Sequence, residues 1–251
     1  MERRKFLAGL AVLGICPLCA RPAAAEESVP WSYGGKTGPD RWGSLGPADA
    51  VCAGGSQQSP VNITGTIKAQ LPPISVDWRP GDGRIVNNGH TVQISMPAGS
   101  KLRRGDRSYD LLQFHFHHPS EHLIEGQRSA MEAHFVHLSA DRTTFGVLGI
   151  FLGSGAANPA FARIAAAFPV AVGVETELPA VDPRGLLPAS LAYWTYEGSL
   201  TTPPCSEAVD WMLAMQPVEV AAADIARFAA LYPMNARSVL ADNRRFILSS
   251  Q

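Results

Sequence analysis

Two stretches near the middle of the chain carry polar residues at alternate positions. In Gln113-Phe114-His115-Phe116-His117 every second residue is polar and the residues between are phenylalanine. In Met131-Glu132-Ala133-His134-Phe135-Val136 one set is Glu132, His134 and Val136, and the other is Met131, Ala133 and Phe135. Successive side chains of a β-strand point to opposite faces, so both stretches predict strands, over Ser108 to His118 and Ala130 to Leu138. Each strand then offers an aromatic or aliphatic face to a core. If the two strands pair, the imidazoles of His115, His117 and His134 converge on one point.

The rest of the hydrophobic pattern predicts more strands and few helices. Arg84 to Met96 reads as two strands broken at Asn87-Asn88-Gly89, a strong turn signal, with His90 immediately after it. Phe145 to Leu152 is a continuous apolar run, as expected for a strand buried on both faces. Tyr193 to Tyr196 and Ala208 to Gln216 read as strands flanking Glu197 to Pro204, and Gln58 to Ile63 leads into the first strand-like segment. Asn158-Pro159 is a helix start, predicting a short helix over Ala160 to Phe168, and a second is predicted over Asp224 to Tyr232. Trp31 to Asp49 has no periodicity and reads as an irregular arm laid over the fold. Proline and glycine are spread evenly and no linker or repeat interrupts the chain after residue 26. The expected architecture is one mainly β domain with a central twisted sheet and short peripheral helices.

The convergent histidines define the candidate chemistry. Three neutral imidazoles with an open fourth position describe a catalytic zinc site, whereas structural zinc sites are closed and rich in cysteine. Gln113 and Glu132 lie two residues from ligand candidates on the same faces, where each can accept a spare imidazole N–H and fix the ring. His118, His122 and His137 do not share the pattern and read as structural.

Composition narrows the setting. The 251 residues, 46% of them hydrophobic and 17% charged, suit a globular chain with a substantial core. A formal charge of −1 gives no sign of a nucleic-acid partner. Arg3-Arg4-Lys5 followed by the apolar run Phe6 to Leu18, with Ala23-Ala24-Ala25 beyond it, reads as an export signal over residues 1–25. Its Arg-Arg pair resembles a twin-arginine signal. The run is too short to span a bilayer comfortably, so no stable membrane anchor is expected. Cleavage after Ala25 takes the formal charge from −1 to −4 and leaves 226 residues with two cysteines, Cys52 and Cys205. In a periplasmic or secreted protein such a pair suggests one disulfide. Oligomeric state is open, with a homodimer compatible with the sequence.

Several competing signatures are absent: no His-Glu-x-x-His, no Gly-x-Ser-x-Gly and no phosphate-binding glycine loop. A metallo-β-lactamase-like site needs an Asp after the His-x-His pair, where this chain has His118-Pro119-Ser120. His115-x-His117-x-x-x-Glu121 has cupin ligand spacing, but Gly105 and Gly126 are misplaced for that family.

Gln113 to His117, Ser120-Glu121-His122, Glu132 to His137 and Gly198-Ser199-Leu200-Thr201-Thr202-Pro203-Pro204 together resemble the α-class carbonic anhydrases, in order over most of the chain. His118-Pro119-Ser120-Glu121, the cysteine pair and the export signal resemble the family's bacterial exported branch. The resemblance implies a largely antiparallel sheet of about ten strands and zinc-dependent, reversible hydration of CO2 to bicarbonate by zinc-bound hydroxide, with ester hydrolysis as a side activity. It implies zinc ligands at His115, His117 and His134, with Gln113 and Glu132 as their partners. Thr201 and Glu121 would orient the attacking oxygen, and His90 would shuttle the proton. Val136, Val147, Leu200, Thr201, Thr202 and Trp211 would hold CO2, while Tyr33, Asn88 and Gln93 would help hold cleft waters. His122 would belong to a buried network with Ser59 and Tyr196. The same fold without catalysis, as a binding module, is the alternative reading.

Overall fold

A computed structural model describes residues 30–250. The expected export signal, with Cys16 and Cys19, lies outside the described residues. Ten strands follow one another across the central sheet. In chain order they are β1 (Ile67–Lys68), β2 (Gly81–Asn87), β3 (Val92–Ser95), β4 (Arg107–His117), β5 (Met131–Ser139), β6 (Phe145–Ser154), β7 (Glu175–Val181), β8 (Tyr193–Gly198), β9 (Val209–Ala214) and β10 (Leu248–Ser249). Their order in space is β7-β2-β3-β4-β5-β6-β9-β8-β10-β1. Ile74–Asp77, Lys101–Arg104 and Val218–Val220 join at the margins and bring the sheet to 13 strands. Along the path every pair is antiparallel except β6 with β9 and β10 with β1. The expected architecture is therefore the observed one.

The predicted alternation sorts the two faces of this sheet. Ile94, Phe114, Phe116, Ala133 and Phe135 form one buried face, with Phe114 directly opposite Phe135 across β4 and β5. Helices Pro159–Ala166 and Ala222–Leu231 cover it through Phe161, Ile164 and Phe228. Burying each such side chain stabilises the fold by about 1.5–3 kcal/mol. The other face carries the histidines and a second apolar group that includes Val136, Val147, Trp211 and Leu213.

Element boundaries differ from the sequence reading for local reasons. The first helix starts where Asn158 accepts a hydrogen bond from the Phe161 N–H at 3.0 Å. It ends at Ala166 and not Phe168, because the residue before Pro169 disfavours helical backbone. The second begins two residues early, since Ala222 and Ala223 are strong helix formers. The strands Lys101–Arg104 and Glu175–Val181, absent from the sequence reading, are short or polar segments at the sheet margins.

The N-terminal arm is irregular, as expected, but firmly held. Three 3-10 turns (Gly35–Thr37, Pro39–Ser44 and Pro47–Asp49) precede a short helix at Val51–Gly54. Trp42 is fully buried and its indole N–H donates to the carbonyls of Ser32 at 2.9 Å and Thr37 at 3.1 Å. Cys52 and Cys205 form the expected disulfide, across 153 positions of sequence. Among the described residues no helix is long and apolar enough to cross a membrane.

Candidate metal centre

Register brings the three expected ligands together. His115 on β4 lies directly opposite His134 on β5, and His117 lies opposite Glu132. The bulge at Leu112 sits just upstream and leaves this register intact. One ring nitrogen from each of His115, His117 and His134 falls within 4.8 Å of the other two. Burial, and then the neighbouring imidazoles, push His115 well below its ordinary pKa; burial likewise lowers His117. Both rings are thus kept neutral, the form that ligates a metal.

Each ring is aimed by an acceptor on its outer nitrogen. Gln113 Oε1 lies 2.9 Å from His115 Nδ1, the Asn235 carbonyl 2.8 Å from His117 Nδ1, and Glu132 Oε1 2.9 Å from His134 Nε2. The inward atoms are therefore Nε2 of His115, Nε2 of His117 and Nδ1 of His134. Glu132 also organises the floor of the site. Its Oε1 accepts from His122 Nδ1 at 2.8 Å, and its Oε2 accepts from the backbone N–H groups of Glu121 and His122, each at 2.9 Å. Burial alone would raise its pKa, but His122 and His134 hold the carboxyl well below its usual range. His122 Nε2 continues to the Tyr196 hydroxyl at 2.6 Å, which donates to Ser59 Oγ at 2.9 Å, the buried network expected from the sequence.

Two buried polar atoms at the centre have no partner: His117 Nε2 and Glu121 Oε2. They lie 3.5 Å apart, and the same carboxylate oxygen is 3.9 Å from His134 Nδ1. Unpaired buried polar atoms are costly, and inward-facing imidazole nitrogens beside them are what a bound cation satisfies. The donor set of three nitrogens, each with a fixed outer partner, fits zinc. Glu121 Oε1 accepts from the Arg237 backbone N–H at 2.8 Å. The Thr201 side chain is buried and makes no hydrogen bond to Glu121.

The loop carrying Thr201 is fixed at both ends. Ser199 Oγ accepts from the Ser59 N–H at 2.9 Å, Ser59 Oγ accepts from the Ser199 N–H at 3.1 Å, and Trp211 Nε1 donates to the Ser199 carbonyl at 3.0 Å. The Cys205 N–H donates to the Thr202 carbonyl at 2.9 Å, beside the disulfide. Gly198 permits this packing: a Cβ there would sit 2.3 Å from Ser59 Oγ and 2.9 Å from the Trp211 ring. Val136, Val147, Trp211 and Leu200 form one apolar group, and the Trp211 ring stands edge-on to His134 at 4.9 Å.

His90 stands apart from the ligands, half-buried after the turn of Asn87 to Gly89, and burial lowers its pKa. Asn88 Oδ1 is engaged in that turn, accepting from the N–H groups of His90 at 3.0 Å and Thr91 at 2.9 Å. Gln93 pairs with His115 across β3 and β4. Tyr33 packs edge-on against Trp31 and Trp42. Burial, then the Glu121 carboxylate, raise its pKa well above the usual value, so the phenol stays protonated. The three remaining histidines face elsewhere. His118 Nδ1 meets the Pro233 carbonyl at 3.0 Å, His137 accepts from Trp78 Nε1 at 3.0 Å, and His122 serves the Glu132 network.

Three participants escaped the sequence reading. Asn235 and Arg237 lie in a C-terminal segment without periodicity, and no spacing signal marks them. Arg237 is buried, donating to Gln58 Oε1, the Ser59 carbonyl and the Cys52 carbonyl at 2.8–2.9 Å. Trp31 belongs to the irregular arm, where no periodic pattern aligns it with His90.

Fold and site together define a mainly β protein with a cluster of three convergent imidazoles on one face of its central sheet. Residues 37–250 match the family model for eukaryotic-type carbonic anhydrase. The chain is 38% identical to a carbonic anhydrase of Nostoc sp. over 260 residues, covering 100% of this chain and 98% of that protein. It is 39% identical to one from Pectobacterium atrosepticum, covering 90% of this chain and 93% of that protein. The structure of the α-carbonic anhydrase of Thermovibrio ammonificans with sulfanilamide superposes with a TM-score of 0.85 at 38% identity, over 87% of this chain and 98% of that one. The chain belongs to the eukaryotic-type (α) carbonic anhydrase family. CO2 hydration is the reaction that this family and fold support.

Proposed function

We propose that the protein hydrates CO2 reversibly at a zinc ion held by His115, His117 and His134. The convergence of three imidazoles, each anchored on its outer nitrogen, carries this reading. Bound there, the ion would lower the pKa of a water to about 7 and make hydroxide available at neutral pH, carbonic anhydrase itself being the reference case for that value.

The residues around the ligands divide the remaining work. Val136, Val147, Leu200 and Trp211 offer CO2 an apolar surface, which suits a neutral substrate and releases a charged product. Thr202, on the same loop as Leu200, would complete that surface. Glu121, fixed through Oε1 by the Arg237 N–H, keeps its Oε2 free to accept the Thr201 hydroxyl proton. Thr201 Oγ1 would then be an acceptor toward the attacking oxygen and select its protonated form. His90, at the half-buried turn, takes up the proton released in each cycle and passes it to buffer, with Tyr33, Asn88 and Gln93 helping to hold the intervening waters. Ester hydrolysis is an expected side activity of the same site.

Export belongs to the same reading. It is supported by the disulfide between Cys52 and Cys205 and by the apolar run after Arg3-Arg4-Lys5. Cleavage after Ala25 would yield a periplasmic or secreted domain.

Stopped-flow CO2 hydration by zinc-replete protein and by His134→Ala, prepared alike, tests the proposal. Fast hydration by the first and near-background rate in the second are expected. A wild type that binds one zinc per chain without hydrating CO2 would make the chain a non-catalytic module on this fold.

A further inference from the structure

The ladder between β3 and β4 stops at Gln93 opposite His115, one residue short of Phe116. Beyond that point the backbone needs other partners, because a buried carbonyl left unpaired is costly. The Phe116 carbonyl accepts from the Thr91 hydroxyl at 2.6 Å and from Asn235 Nδ2 at 3.0 Å. The same Nδ2 donates to the His90 carbonyl at 3.0 Å, and Asn235 Oδ1 accepts from the His118 N–H at 2.7 Å. Asn235 is fully buried, and its carboxamide uses both N–H groups and its oxygen on the backbone of three residues.

Two of those residues, Phe116 and His118, bracket His117, whose Nδ1 lies 2.8 Å from the Asn235 carbonyl. The third is His90. Inside its own turn His90 is held by its N–H on Asn88 Oδ1. Among the described residues, the bond from Asn235 is the one hydrogen bond that ties His90 to a group outside that turn. Tyr232, three residues before Asn235, donates to Asn87 Oδ1 at the other end of the turn. The segment Tyr232 to Asn235 therefore grips the turn at both ends and joins it to the strand that carries His115 and His117.

We propose that the Asn235 carboxamide positions His90 for proton transfer, a role that rests on His90 being the proton acceptor of the hydration cycle. Transfer through intervening waters depends on the separation of its end points, and a misplacement of about 1 Å can cost about 100-fold in rate. Asn235 sets that separation by locking the His90 backbone to β4. The site calls for two donors and one acceptor on a short side chain. A carboxylate lacks the donors and a hydroxyl has only one, so the amide matches the three backbone groups it meets. Asn235 touches neither substrate nor the proton in flight, and acts through His90.

Asn235→Ala, measured beside wild type and His90→Ala, tests this. In the zinc-free protein, amide hydrogen exchange at His90 and Thr91 should quicken about tenfold, since the turn loses its tie to β4. In the zinc-loaded protein, turnover in dilute buffer should fall about tenfold and added imidazole should restore it. CO2/bicarbonate exchange at chemical equilibrium should change little, because the backbone carbonyl that holds His117 remains. Adding Asn235→Ala to His90→Ala should cost no further turnover. Asn235→Ser, which keeps a hydroxyl but cannot make all three bonds, should show the same pattern and keeps the test decisive if Asn235→Ala fails to fold. Unchanged turnover would overturn the proposal. So would an equal loss of turnover and exchange that imidazole does not relieve, which would make Asn235 a support of His117 only. Full turnover by His90→Ala would overturn the proton path itself, and the role of Asn235 with it.

Discussion

Trp31 and His90 are stacked face to face, their ring centroids 3.6 Å apart and their planes 9° from parallel. The indole covers one face of the imidazole and contributes to the burial that lowers its pKa. Trp31→Ala should therefore raise the His90 pKa toward the ordinary value of about 6.5, as followed by NMR titration of the ring. An unchanged titration would show that the indole does not shield His90.

Replacing His90 separates proton transfer from chemistry at the metal. His90→Ala should lower turnover in dilute buffer by about 100-fold, within the usual range for a positioned acid–base group. CO2/bicarbonate exchange at chemical equilibrium should change little, and added imidazole should restore turnover. Full turnover at low buffer would remove His90 from the proton path.

Glu132 serves four N–H donors with two oxygens. Glu132→Gln replaces one acceptor by an amide NH2 and sets it against N–H groups already buried there. Zinc affinity should fall about 10–100-fold, measured by chelator competition, and stability should fall with it. Glu121→Gln should instead keep zinc and lose hydration rate, because Glu121 does not anchor a ligand ring.

His137 gives the fold an acid sensitivity separate from the metal. Burial lowers its pKa to about 4, with the Trp78 N–H donating to its Nε2. The unfolded chain, with a pKa near 6.5, binds this proton more readily than the folded one. Stability is therefore full above about 6.5 and declines as pH falls toward 4, by about 3 kcal/mol for this group. Urea unfolding across that range should show the decline, and His137→Gln should remove this share of it.

The disulfide closes a loop spanning 153 positions. Replacing Cys52 and Cys205 by alanine should lower stability by about 4–5 kcal/mol in the chain-entropy model. Denaturant unfolding measures this directly.

The parts of the site legible in the sequence are those with a period of two. His115, His117 and His134, with Gln113 and Glu132, follow from alternation alone, because a strand leaves each side chain one of two faces. The pairing of Cys52 with Cys205 followed from their being the two cysteines left after the expected cleavage. What lay outside the reading depends on contacts between distant irregular segments. The Asn235 carbonyl that holds His117, and the Arg237 N–H that holds Glu121, are backbone groups, so residue type says little about them. The stacking of Trp31 on His90 joins an arm to a turn, neither with a periodic pattern to align them. The strands Lys101–Arg104 and Glu175–Val181 were hidden by their charge, since strands at a sheet margin need bury little apolar surface.

The Asn235 carbonyl beside His117 has a consequence for biosynthesis. A ribosome releases the chain from its N-terminus, so strands β4 and β5 emerge long before residue 235. Until that last segment emerges, His117 lacks the acceptor that holds its ring, and Glu121 lacks the N–H of Arg237. A nascent chain thus carries all three candidate ligands without the finished geometry. Metal acquisition should be an event of the completed polypeptide, and truncation near the C-terminus should impair it even though every ligand is present.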